Sequence, residues 1–134
     1  MLKKRPIVDT NIIIRFLTND PPQLANKVEQ LLKESPPDNL EIPDIVIAEI
    51  VYVLLSFYQI DKEQVIEKIT WLINFDKIKA NKKILKKTLE FYKNYPISFI
   101  DAYLCSLVTN NKNSFIYSFD KALQKIKEAK IIGL

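Results

Sequence analysis

Four carboxylates stand out from the charged surface expected of this sequence: Asp9, Glu49, Asp101 and Asp120. Asp9 interrupts the apolar opening PIVDTNIII, and Glu49 sits alone in IVIAEIVYVLLSF. Asp101 is the one acid in PISFIDAYLCSLV, and Asp120 follows the apolar stretch FIYSF. Carboxylates gathered at one place repel one another, which raises some of their pKa values unless a divalent cation neutralises them. An oxygen-only donor set suits Mg²⁺ or Mn²⁺. A metal ion held this way lowers the pKa of bound water and stabilises charge on a phosphodiester undergoing hydrolysis.

Each acid also has an ordinary explanation. Asp9 is placed to cap a helix starting at Thr10, and Asp120 to cap a later one, with Ser118 a rival for that job. Ser98-Phe99-Ile100-Asp101 has the spacing of a capping box, although that motif prefers Glu or Gln at its last position. A helix as apolar as the one around Glu49 is expected to be buried, taking Glu49 inside or to a cleft wall. A buried carboxylate must be protonated, metal-bound or ion-paired, here with a lysine or Arg15. These explanations account for the acids singly but not for their conjunction. Asp9 and Asp120 end predicted strands, and Glu49 and Asp101 are isolated in the two most apolar helices. Thr10, Asn11 and Ser118 flank the proposed cluster, either as supports for carboxylates or metal-bound waters or as plain turn and capping residues. Asp20, Asp44, Asp61 and Asp76 read as caps or loop residues, and Lys82, Lys83, Lys86 and Lys87 as a solvated helix face.

The absences narrow the chemistry further. The chain has no histidine, which removes Ser-His-Asp and Cys-His hydrolysis, histidine general-base RNA cleavage and histidine-ligated zinc. Gly133 is the only glycine, so neither a P-loop nor a dinucleotide fingerprint can form. The lone Cys105 has no disulfide partner and reads as a small core residue of a reduced, cytoplasmic protein. No apolar run reaches the roughly 20 residues needed to span a bilayer, and Asp9 breaks the basic, apolar start too early for a secretory signal. The net charge of +4 is compatible with phosphate attraction but weak evidence for it.

At 134 residues the chain is expected to form a single domain spanning 1–134. A short strand is predicted over 5–9, then helices over 10–19 and from Pro21-Pro22 to about Ser35, the latter apolar at Leu24, Val28, Leu31 and Leu32. Pro36-Pro37-Asp38-Asn39 is a turn and 40–43 a short strand. Asp44 is read as the N-cap of a helix reaching Tyr58, and Asp61 as the cap of the next. A strand near 77–80, helices over 82–94 and 99–111, a strand over 114–118, a helix over 120–128 and an edge strand KIIGL complete the pattern. Short strands alternating with helices point to a three-layer α/β/α sandwich around a central, mostly parallel sheet. Such sheets bind ligands beyond the carboxyl ends of their strands, where Asp9 and Asp120 fall.

The segments IVDTNIIIRFLTNDPPQ, IPDIVIAEIVYVL, ISFIDAYLCSLV and FIYSFDKAL together resemble the PIN-domain ribonucleases of the VapC toxin type. The resemblance covers nearly the whole chain, in the family's order. It implies an acidic tetrad at Asp9, Glu49, Asp101 and Asp120, supported by Asn11, Ser118 and, less firmly, Thr10. It further implies an Mg²⁺- or Mn²⁺-dependent endoribonuclease, a homodimer, and a small antitoxin whose C-terminal segment occupies the active-site groove. Ala48 departs from the hydroxyl residue that many relatives carry before the glutamate, which affects at most a local hydrogen bond.

Three other readings compete. A phosphoryl-accepting signalling domain has a similar α/β plan, but it needs further acids beside the first strand and an acceptor Asp on a middle strand, and the KIKA stretch offers none. A haloacid-dehalogenase-type phosphatase needs an Asp-x-Asp start, which Asp9-Thr10-Asn11 lacks. A catalytically silent PIN-like adaptor is disfavoured by the complete set of four acids.

Overall fold

The computed structural model describes residues 4–134. Residues 1–3, part of the basic start read as no secretory signal, lie outside the described residues. The chain forms two compact units, the first ending at Asn81 and the second beginning at Lys82.

The first unit holds four helices: α1 (Thr10–Thr18), α2 (Pro22–Glu34), α3 (Asp44–Ser56) and α4 (Lys62–Asn74). Their placement follows local chemistry. Asp9 Oδ1 accepts the Ile12 N–H at 3.3 Å and starts α1, while Asn19, at φ 52°, ends it in the left-handed region that Asn tolerates well. Proline at the first position of α2 costs nothing there, because that N–H has no helical partner in any case. Asp61 Oδ1 accepts the Gln64 N–H at 3.1 Å and caps α4 as expected. Asp44 does not cap α3: Pro43 occupies that position, and Asp44 lies in the first turn, where a negative charge faces the positive end of the helix dipole. The buried stripe of α2 also differs from the expected one. It runs through Ala25, Val28 and Leu32, leaving Leu24 and Leu31 exposed.

Between the helices, β1 (Leu40–Glu41) pairs in parallel with β2 (Ile78–Lys79), Leu40 opposite Ile78. The strand expected over 5–9 is reduced to a parallel bridge from Ile7 to Glu41, closed by Val8 N–H to Glu41 O and Glu41 N–H to Pro6 O, both 2.9 Å. Asp9 therefore leaves the carboxyl end of this short ladder directly into α1. The core of the unit is aliphatic, with Ile13, Ile47, Ile50, Leu54, Ile69 and Leu72 fully buried. Helix α1 packs on α2 and α3, and α3 on α4.

The second unit consists of α5 (Lys82–Asn94), α6 (Phe99–Asn110), β3 (Ile116–Ser118), α7 (Lys121–Gln124) and β4 (Ile131–Gly133). Helices α5 and α6 pack together around a buried polar contact, Thr88 Oγ1 to Ser106 Oγ at 2.9 Å. Tyr92 meets Phe99 edge-on, with centroids 5.6 Å apart. Strand β4 is the expected edge strand and runs parallel to β3, Ser118 opposite Gly133. Helix α7 is shorter than the predicted 120–128. The N–H groups of Lys125 and Ile126 turn back to Ala122 O and Leu123 O, tightening the last turn to three-residue spacing and ending it. Parallel pairing and helix-linked strands agree with the α/β class.

Candidate active site

Asp9 and Glu49 belong to the first unit, Asp101 and Asp120 to the second. Within each unit the two acids hold contrasting positions: one is committed to a helix end, the other is not.

Asp9 is the N-cap of α1, committing Oδ1 to Ile12 and leaving Oδ2 outside that bond. Asn11 follows in the first turn and is exposed, whereas Thr10 is buried. Glu49 is where the structure departs most from the sequence expectation. Helix α3 is not buried all round: Ile47, Ile50, Val51 and Leu54 form its core face, while Ile45, 78% exposed, and Tyr52, 69% exposed, lie on the side that carries Glu49. Glu49 is itself exposed. Apolar composition does not bury a helix on every side, and the core of this unit covers one face of α3. Among the described residues no hydrogen bond or ion pair engages the Glu49 carboxylate, so the expected pairing with Arg15 or a lysine does not form.

In the second unit Ser98 is the N-cap of α6, and its Oγ accepts the backbone N–H of Asp101 at 3.0 Å. Only half of the expected capping box forms: the Asp101 carboxylate makes no hydrogen bond or ion pair among the described residues. One turn later lies Cys105, fully buried as expected. Burial pushes its thiol up to about 11, and the negative charges of Asp101 and Glu128 add to that rise. Asp120 caps α7 through Oδ1, which accepts Ala122 N–H at 2.8 Å and Leu123 N–H at 3.3 Å. Ser118 does not compete for this cap. Its Oγ accepts the Asp120 N–H at 3.0 Å, fixing the turn that presents the acid, and its carbonyl accepts the Gln124 amide at 2.9 Å. That amide lies against Gly133, where an added Cβ would come within 2.7 Å of it.

Carboxylate oxygens are what a hard divalent cation takes. Among the described residues Glu49 and Asp101 make no hydrogen bond or ion pair through their carboxylates, and Asp9 and Asp120 each keep one oxygen outside the capping bonds. Within either unit, among the described residues, no three acid or cysteine side chains are grouped closely enough to hold an ion. No helix among the described residues is long and apolar enough to cross a membrane.

The first unit also carries a feature that the sequence reading missed. Helices α1 and α3 enclose a groove of about 490 Å³ lined by Asn11, Arg15, Tyr52, Ser56, Phe57 and Tyr58, among others. The signal available in the sequence was Ser56-Phe57-Tyr58, an aromatic pair just where the helical pattern of α3 ends.

A scan against protein families matches the PIN domain over residues 7–129. A search of the curated proteins finds no match. Among solved structures, a toxin-antitoxin complex from Klebsiella pneumoniae shares 14% identity, with a TM-score of 0.36 over 95% of each chain. With one family match running through nearly all of the sequence, from the residue before Val8 to the last turn before β4, the chain belongs to the PIN domain family.

Proposed function

We propose that this chain is a metal-dependent endoribonuclease of the VapC type, the toxin of a toxin-antitoxin pair. PIN domains are generally nucleases, and the family match supports hydrolysis of a nucleic acid. The finer reading rests on the four motifs quoted above and on one structural observation: Glu49 and Asp101 are acids without a structural partner among the described residues. An exposed carboxylate flanked by Ile45 and Tyr52 does nothing for folding that a neutral residue would not do.

In this reading the two units form one three-layer domain, and Asp9, Glu49, Asp101 and Asp120 hold Mg²⁺ or Mn²⁺. When bound, the cation neutralises these charges and supplies an acidified water for phosphodiester hydrolysis. Asn11 and Ser118 orient neighbouring carboxylates, Ser118 through the turn that carries Asp120. Surface lysines hold the RNA backbone electrostatically, so activity falls as salt rises. With no histidine to activate the 2′-hydroxyl, the products carry 5′-phosphate and 3′-hydroxyl ends. The partners are an RNA substrate, a small antitoxin and a second copy of the chain.

The test is Asp9→Asn, which preserves shape and capping ability while removing charge. Cleavage of RNA, and growth arrest on expression, are lost while the fold remains; a fully active variant refutes the assignment.

A further inference from the structure

The α1–α3 groove carries an observation that the nuclease reading leaves unused. Arg15, one of only two arginines in the chain, has no carboxylate within ion-pair distance among the described residues. Its Nη1 donates to the Asp20 carbonyl at 3.3 Å. The Asp20 carboxylate, the nearest acid in sequence on that side, instead accepts the Tyr58 hydroxyl at 3.3 Å. A guanidinium with unspent donors at a groove is suited to an anion, and its planar fork matches a phosphate.

The walls add a second kind of recognition. Tyr52 is 69% exposed and Phe57 76%, and Phe57 is braced edge-on against Tyr58, centroids 5.0 Å apart. Exposed rings beside an unpaired arginine offer a stacking surface next to a phosphate anchor. That pairing is how proteins hold unpaired nucleotides, since every base has a π face. Position completes the case. The groove begins at Asn11, two residues beyond Asp9, and Tyr52 stands one helical turn from Glu49 on the same face of α3.

We infer that this groove is a subsite for single-stranded RNA, in which Tyr52 and Phe57 stack unpaired bases and Arg15 holds the phosphate between them. The inference rests on the nuclease reading, because it takes the strand leaving Asp9 and Glu49 as the occupant. The bases it selects are unpaired, because a duplex does not expose base faces to a ring.

The test uses the Asp9→Asn chain, which binds without cutting, and a fluorescent single-stranded oligoribonucleotide. Tyr52→Leu and Phe57→Leu, both at exposed positions, each weaken binding about tenfold, whereas Tyr52→Trp retains it. Arg15→Gln weakens binding and lowers the slope of log affinity against log salt by about one. Photo-crosslinking of a 4-thiouridine oligoribonucleotide to the chain with its groove residues intact attaches RNA at Tyr52 or Phe57. Undiminished affinity in both leucine variants, with the parent chain still binding and wild type still cutting RNA, overturns the subsite and leaves the nuclease reading standing. Variants that lose a second copy or an antitoxin peptide while keeping RNA overturn it as well. A wild-type chain that neither binds nor cuts single-stranded RNA with Mg²⁺ or Mn²⁺ overturns the nuclease reading and this inference with it.

Discussion

Ser98 Oγ takes the backbone N–H of Asp101 at 3.0 Å, and among the described residues the Asp101 carboxylate takes no hydrogen bond in return. The start of α6 is therefore held by Ser98, and the acid three residues on is spare. The two residues must respond differently to substitution. Ser98→Ala costs about 1 kcal/mol of stability through the lost cap. Asp101→Asn changes stability by less than about 0.5 kcal/mol and abolishes cleavage. Denaturant unfolding beside an RNA cleavage assay separates the two effects, and a large stability loss in Asp101→Asn contradicts the account.

In the proposed nuclease Asp9 carries both roles at once, because its Oδ1 also caps α1. Asparagine caps nearly as well as aspartate, so Asp9→Asn retains the unfolding midpoint, whereas Asp9→Ala loses about 1 kcal/mol. Both are inactive if the charge is what matters. Activity in Asp9→Asn but not Asp9→Ala would reduce the residue to a cap.

Cys105 supplies a pH prediction. Its thiol is pushed up to about 11 in the folded chain, against about 8.5 for an unfolded thiol. The unfolded state therefore gives up its proton first. The thiol's contribution to stability is complete below about pH 8.5 and declines as the pH rises toward 11. At pH 8 a disulfide reagent should leave the native thiol almost untouched and label one thiol per chain after denaturation. Rapid labelling of the native protein contradicts the burial.

How much of this was legible beforehand depended on the kind of signal. Helices α4 and α5 were read nearly to the residue because Asp61 caps the first and a strong apolar stripe marks the second, and both are local facts. Asp44 was mistaken for a cap because Pro43, lacking a capping side chain, is a poor candidate by type, yet it is the residue at the extended position. The strand over 5–9 contracted to the Ile7 bridge because pairing depends on the neighbour, β1, which is itself only two residues long. The exposure of Glu49 is hidden from the sequence for a related reason. Composition says how apolar a helix is, but which face the core covers is decided by α1 and α4. The acids themselves are legible as isolated charges in apolar stretches, while the lack of an ion pair at Arg15 among the described residues is not, since it depends on Asp20 turning to Tyr58.

Metal removal gives a further check. Chelation by EDTA should abolish cleavage, and Mg²⁺ or Mn²⁺ should restore it, while the unfolding midpoint without added metal stays that of a folded chain. Cleavage that persists in EDTA removes the cation from the account.

Glu49→Gln provides the most direct test of the central claim. The side chain is exposed and unpartnered among the described residues, so the substitution should leave stability within about 0.5 kcal/mol of wild type. Cleavage of single-stranded RNA in Mg²⁺ or Mn²⁺ should fall at least a hundredfold (about 2.7 kcal/mol in the barrier). Wild-type rates in a folded Glu49→Gln chain would contradict it.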